Sequence, residues 1–232
     1  MNRKRWLALA LFLGVALLVV GLGRLTARPP AQGPWRETTL YGQGEKVLLL
    51  ELLGEIPSGK ALERFLSQVR QAREDEGVRA VVLYVESPGG GVTETEALHR
   101  ALRALAQEKP LVASLGRVAA SGGYYVACGG SHLIAHDTTF TGSIGVIMQG
   151  INYEQLFGKV GLQMMTFKSG KFKDILSGSR PMTDEEKDYI QGLVMQTYDK
   201  FVGIVAKERG LPEDKLRNGL ADGRVISGKG AF

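Results

Sequence analysis

Three short apolar runs constrain this chain most: Val47–Ile56, Ala80–Val85 and Leu111–Leu115. Each has the length of a buried strand, and the residues between them change period. Leu62, Phe65, Leu66, Val69 and Ala72 fall at helical spacing, with Gly77 closing the stripe. A second helical pattern runs from Thr93 to Gln107 and is stopped by Pro110. Strand alternating with helix predicts an α/β domain whose largely parallel sheet is covered by helices. In such sheets the working groups collect beyond the carboxyl ends of the strands. Two glycine-rich segments stand at such ends, Ser87-Pro-Gly-Gly-Gly91 and Arg117–Cys128, the latter containing Ser121-Gly122-Gly123. Both are expected to face one crevice.

Further along, Leu133-Ile134 reads as a short strand, and Thr141–Ile147 as a glycine-rich turn entering another. A short helix is expected over Tyr153–Val160 and a strand over Leu162–Phe167, followed by a basic loop, Lys168-Ser-Gly-Lys-Phe-Lys-Asp174. Thr183-Asp-Glu-Glu186 is a capping-box signature. It opens a long helix whose stripe, Tyr189, Ile190, Leu193, Val194, Tyr198, Phe201, Val202 and Val205, reads as core packing by default or else as a face between protomers. Pro212–Leu220 reads as a last helix and Val225-Ile226 as the start of a strand.

The N-terminus is of another kind. Arg3-Lys4-Arg5 precedes an uncharged apolar run from Trp6 to Gly23, about long enough to span a bilayer. With no small-x-small cleavage site after it, the run predicts an uncleaved anchor over residues 1–28, then a Pro/Gly/Gln-rich linker over 29–45 and the working domain over 46–232. The basic cluster places the N-terminus in the cytoplasm and the domain outside it. Of 29 basic side chains, five lie in residues 1–28, leaving 24 against 24 acidic ones in the rest. The net charge of +5 therefore belongs to the anchor and calls for no nucleic-acid partner. Cys128 is the only cysteine, so no internal disulfide is possible, and its small apolar neighbours suit a buried filler.

Nucleotide chemistry finds no support: neither a dinucleotide fingerprint nor a phosphate-binding loop is present. His99, His132 and His136 lack the spacing of metal ligands. His136 and Asp137 are adjacent and would point to opposite faces of an extended segment, which does not stack a base on its orienting acid. Ser121 has two readings. As the first residue of a helix it is an N-cap; as a nucleophile, it would have the Gly122 N–H at the positive end of that helix to stabilise an oxyanion. Without histidine the base would be a lysine in a pocket dry enough to disfavour the ammonium. Lys168, Lys171 and Lys173 are candidates, although such a loop also reads as a solvated basic turn.

Ser87-Pro-Gly-Gly-Gly-Val92, Ala119-Ala-Ser-Gly-Gly-Tyr-Tyr125, Thr141-Gly-Ser-Ile-Gly-Val146 and Lys168-Ser-Gly-Lys-Phe-Lys-Asp174 occur in the order seen in the signal peptide peptidase A (protease IV) family. From about Val47 to Val225 the chain resembles the short, membrane-anchored bacterial form. The resemblance implies a crotonase-like fold related to Clp protease subunits, built of repeated ββα units and assembled into homo-oligomers. It implies cleavage of residual signal peptides and other unfolded chains by a Ser/Lys dyad, with no ATP, metal or other cofactor. Ser121 is then the nucleophile and Lys173 the general base, with Lys171 as the alternative. Gly90 and Gly122 supply the oxyanion amides, and Ser143 either orients the lysine or caps a turn. Family members complete the dyad within a chain or between protomers. The family continues past the Gly-Arg-Val element with further helical residues where this sequence ends at Ala231-Phe232, so the expectation is a truncated C-terminal edge or a member that lacks it. A crotonase-type acyl-CoA enzyme and a catalytically silent scaffold for membrane proteins are the competing readings.

Overall fold

A computed structural model describes residues 37–231. The expected anchor and the first half of the linker lie outside the described residues. The chain divides into two units between Tyr41 and Gly42, and the described strands and helices all belong to the second.

The elements of this second unit run β1 (Lys46–Leu53), α1 (Gly59–Glu74), β2 (Val78–Ser87), α2 (Val92–Glu108), β3 (Leu111–Ala120), α3 (Gly122–Ala127), β4 (His132–Ala135), β5 (Phe140–Gly142), α4 (Glu154–Lys159), α5 (Asp184–Arg209), α6 (Glu213–Arg217) and β6 (Val225–Ser227), with a short 3₁₀ turn at the end. The sheet order is β1-β2-β3-β5-β6, with β4 also pairing β3. All pairings are parallel except β5 with β6. The architecture is thus α/β, as the alternation of period requires.

The core follows from that alternation. Leu83, Val85, Leu111 and Ala113 of the central strands are fully buried, and Leu98, Leu102 and Leu105 lie against them from the buried stripe of α2. Phe65, Val69 and Ala72 of α1 complete this cluster. A second cluster joins Tyr125 of α3 and Cys128, which caps that helix, to Phe201, Val202, Val205 and Ala206 of α5. Cys128 is wholly buried, which pushes its thiol up to about 12 and makes it inert filler. Leu102 contributes to the first cluster alone, so Leu102→Ala is expected to cost about 2–5 kcal/mol, checked by urea unfolding.

Three expectations differ from the structure. Leu162–Phe167 is not a strand, and neither is the Val146-Ile147 end of the glycine-rich turn. A strand needs a partner edge, and β5 already has β3 on one side and β6 on the other. The stripe of α5 is core only in its C-terminal half: Phe201, Val202 and Val205 are buried, whereas Tyr189 is exposed and Ile190, Leu193 and Val194 are half-buried. The uncovered half adjoins in sequence a long excursion, residues 143–183, that holds one short helix. Within it Ile147, Ile151, Met165 and Phe167 are each more than four-fifths exposed.

The parallel pairing of β2, β3 and β5 sends all three carboxyl ends to the same side of the sheet. Ser87, Ala120 and Gly142 close these strands, so three glycine-rich segments emerge together.

Candidate active site

Ser121 follows β3 directly, and α3 begins at the next residue. Its amide donates to the Gly142 carbonyl at 2.9 Å, and its carbonyl accepts from Tyr125 at 2.9 Å. Pinned from both sides, its backbone takes φ 51° and ψ −123°. Among the described residues only Ser121 and Ser143 are non-glycine residues at positive φ. Such backbone costs about 1–3 kcal/mol per residue and persists only where its surroundings impose it. Ser121 occupies the N-cap position, yet its side chain makes no capping hydrogen bond. The capping use of the hydroxyl is therefore absent.

The Ser87–Gly91 turn packs on this serine backbone to backbone. A Cβ at Gly89, whose φ is +114°, would come within 2.9 Å of the Gly122 nitrogen and 3.0 Å of the Ser121 Cβ. A Cβ at Gly122 would meet Thr95 Oγ1 at 2.7 Å. The turn is tied down on every side: the Ile56 amide donates to the Gly89 carbonyl at 2.8 Å, and Thr95 Oγ1 donates to the Gly91 carbonyl at 2.7 Å. The Gly89 amide is consumed by Ser87 Oγ at 3.2 Å. The Gly90 and Gly122 amides, by contrast, have no acceptor among the described residues.

Ser121, Gly122, Gly90 and Ser143 line one cavity of about 320 Å³. Val92, Tyr125, Val146, Ile147 and Phe201 form its apolar wall, and Thr95, Glu96, Thr197, Lys200 and Asp222 its polar wall. Sequence reasoning missed Glu96 and Lys200. They carry no local motif and meet only because α2 and α5 run side by side, where Lys200 Nζ lies 2.6 Å from Glu96 Oε1 and Arg103 pairs with Glu208. The Lys200 hydrogen bond holds the Glu96 carboxyl below its ordinary value, desolvation opposing it. None of the three histidines lines the cavity. His99 is packed, edge-on to Tyr125 with ring centroids 5.1 Å apart, and burial lowers its pKa.

The three loop lysines differ in what they touch. Lys168 Nζ donates to Asp174 Oδ1 at 2.7 Å and to the Lys171 carbonyl at 3.2 Å. Lys171 pairs with Glu185 and lies over the Phe172 ring, which stacks on Tyr189. Lys173 is exposed, and its side chain has no partner among the described residues. It is not among the residues lining the Ser121 cavity of its own chain.

Comparison with known proteins fits this geometry. The model of "Peptidase family S49" matches residues 103–232, a span that includes Ser121, Ser143 and Lys173 but not the Gly89–Gly91 turn. A putative signal peptide peptidase SppA from Enterococcus faecium is 32% identical over 262 aligned residues, covering all of this chain and 75% of that protein. A putative protease from Synechocystis sp. is 39% identical over 190 residues, covering 81% of this chain and 67% of its own length. Protease 4 of Haemophilus influenzae is 30% identical over 199 residues, 83% of this chain and 32% of its own. The chain belongs to peptidase family S49, the family of signal peptide peptidase SppA and protease 4, and is a serine peptidase.

Proposed function

We propose that this is a membrane-anchored endopeptidase, its domain outside the cytoplasm, that degrades residual signal peptides and other unfolded apolar peptides with Ser121 as nucleophile and Lys173 as general base. One observation carries the reading. A serine hydroxyl on strained backbone, without a hydrogen-bond partner among the described residues, shares a cavity with two amides, Gly90 and Gly122, that have no acceptor among them. Lys173, as the neutral amine, takes the Ser121 proton while Oγ bonds to the carbonyl carbon of the scissile peptide. The carbonyl electron pair moves onto oxygen, where the two N–H groups stabilise it. Collapse breaks the C–N bond, and the lysine returns its proton to the departing amine. Water then attacks the acyl ester, giving its proton to Lys173, which passes one to Ser121 as the acid leaves. Ser143, which lines the same cavity, orients the incoming amine.

The five apolar residues of the cavity suit an apolar substrate side chain, with the substrate strand held by edge pairing. The relative named as a signal peptide peptidase supports the same substrate class. No cofactor enters any step. The parallel βα succession supports kinship with crotonase-like ββα units.

Lys173 reaches Ser121 from a neighbouring copy. It stands exposed on an excursion whose apolar residues lie uncovered, and a second copy seated there would bury Ile147, Ile151, Met165 and Phe167. Lys200, the lysine within the cavity, is occupied by Glu96. Hydrolysis of an apolar peptide separates the two lysines. Lys173→Ala is expected to abolish turnover, while Lys200→Met changes KM severalfold and keeps kcat within about threefold. The reverse pattern would move the base to Lys200.

A further inference from the structure

One guanidinium gathers the loop that carries Lys173. Arg180 donates through Nε to Asp174 Oδ2 at 3.0 Å and through Nη2 to Asp174 Oδ1 at 2.7 Å. The same group donates through Nη1 to Glu186 Oε2 at 2.8 Å and through Nη2 to Glu186 Oε1 at 2.5 Å. Nη1 also reaches the Pro181 carbonyl at 3.0 Å. Asp174 is the residue immediately after Lys173. Glu186 is the third residue of α5 and half of its capping box: its carboxylate accepts from the Thr183 amide at 2.8 Å, and its amide donates to Thr183 Oγ1 at 3.2 Å. Both carboxylates are nearly buried, at 9% and 5% exposure, and Lys168 completes the charge balance at Asp174. From the other side, the Tyr153 amide donates to Gly178 and its hydroxyl to Ser177. The arch 168–186 is therefore anchored at both feet, with Lys173 alone among its lysines left unpaired.

We infer that Arg180 is the positioning residue for Lys173: its fork locks Asp174 to the start of α5 and so fixes the direction in which the Lys173 side chain leaves the loop. The geometry gives the reason. A fork that holds two carboxylates at once is satisfied in one arrangement, whereas lysine at this position presents a single point charge and holds only one of them well. Removing the guanidinium leaves two nearly buried like charges side by side, which drives Asp174 away from Glu186 and swings Lys173 with it. The grip survives any ordinary assay pH. Hydrogen bonds from Arg180 hold Glu186 down to about 2, and Arg180 and Lys168 hold Asp174 lower still. A carboxyl depressed on folding stabilises the fold fully above its unfolded pKa of about 4, and that stability is lost only as pH falls through the lower folded value. Of the other charged groups at this arch, Lys171 pairs with Glu185 and Asp184 with Lys187.

The inference rests on Lys173 being the base, and the test keeps the two apart. In the full chain, Arg180→Gln and Arg180→Lys are compared with Lys173→Ala and with the Arg180→Gln/Lys173→Ala double variant. Peptide hydrolysis and hydrolysis of an activated ester are both measured. Arg180→Gln is expected to lower kcat about 30-fold with KM within threefold, below the roughly hundredfold cost of a 1 Å misplacement. Arg180→Lys recovers only part of the loss. In the Lys173→Ala background, Arg180→Gln is expected to change the residual ester rate by less than about twofold, since there is no base left to misplace. Additive losses in the double variant, or an Arg180→Gln kcat equal to the parent while Lys173→Ala is dead, overturn the positioning role and leave the base in place. An active Lys173→Ala overturns both. Should the glutamine variant fail to fold, Arg180→Lys, which keeps the charge, decides by the same cycle.

Discussion

Ser121→Ala is expected to lower peptide hydrolysis by at least about 10⁴-fold while the melting temperature stays within a few degrees. The hydroxyl makes no hydrogen bond among the described residues, not even a helix cap, so its loss removes no such bond there. Alanine inherits the same strained φ of 51°, so the backbone term is unchanged. Lys173→Ala is expected to match it, again with the fold intact, because the side chain is exposed and unpartnered. The two inactive variants also report where the dyad is made. If each site takes its serine from one copy and its lysine from another, co-assembling them in equal amounts restores roughly a quarter of parental activity, through sites that draw the intact member from each variant. A mixture as dead as its components would show that one chain supplies both groups, and the reading of Lys173 as reaching across copies would fall.

How far the sequence carried this site depends on the kind of constraint each residue obeys. Ser121 and the Ser87–Gly91 turn stand at the ends of strands, and local pattern suffices to bring them together, whereas Ser143 entered only through the family resemblance. Parallel pairing leaves the carboxyl ends of β2, β3 and β5 side by side, so the expected shared crevice was legible before any coordinates. What local pattern could not give was which glycine amide is free. That turns on the Ser87 hydroxyl reaching back two residues to occupy the Gly89 amide, a side-chain rotamer with no signature in spacing. Glu96 and Lys200 were invisible for a different reason: 104 positions apart, they meet because two helices lie side by side. The strand expected at Leu162–Phe167 failed because a short apolar run signals a surface to be buried without saying what buries it. The same ambiguity explains α5, whose continuous apolar stripe is core over its last turns and uncovered over its first. Apolar pattern in a single sequence does not distinguish a face turned to the chain's own core from one turned to another molecule.

Gly89→Ala is expected to lower kcat by about 10²–10³-fold with a far smaller change in KM, the loss typical of a displaced oxyanion donor. The substitution touches neither the hydroxyl nor the lysine. Its new Cβ would sit 2.9 Å from the Gly122 nitrogen and 3.0 Å from the Ser121 Cβ, at a φ of +114° that alanine resists. The turn cannot yield inward, because Ser121 and Gly122 are themselves fixed by β5 and α3. It must move outward, and the bonds to Ile56 and Ser87 make it move as a unit, carrying the Gly90 amide away from the cavity. The Gly122 amide stays, so one donor of two is lost and some catalysis persists. Gly158→Ala is the matched control: it lies in α4, with ordinary helical backbone and nothing within 4 Å of an added Cβ, and it should leave kcat unchanged. If Gly89→Ala turned over substrate at the parental rate, the unengaged amide of Gly90 would have no part in stabilising the oxyanion, and the donor facing Gly122 would have to come from elsewhere on the cavity wall.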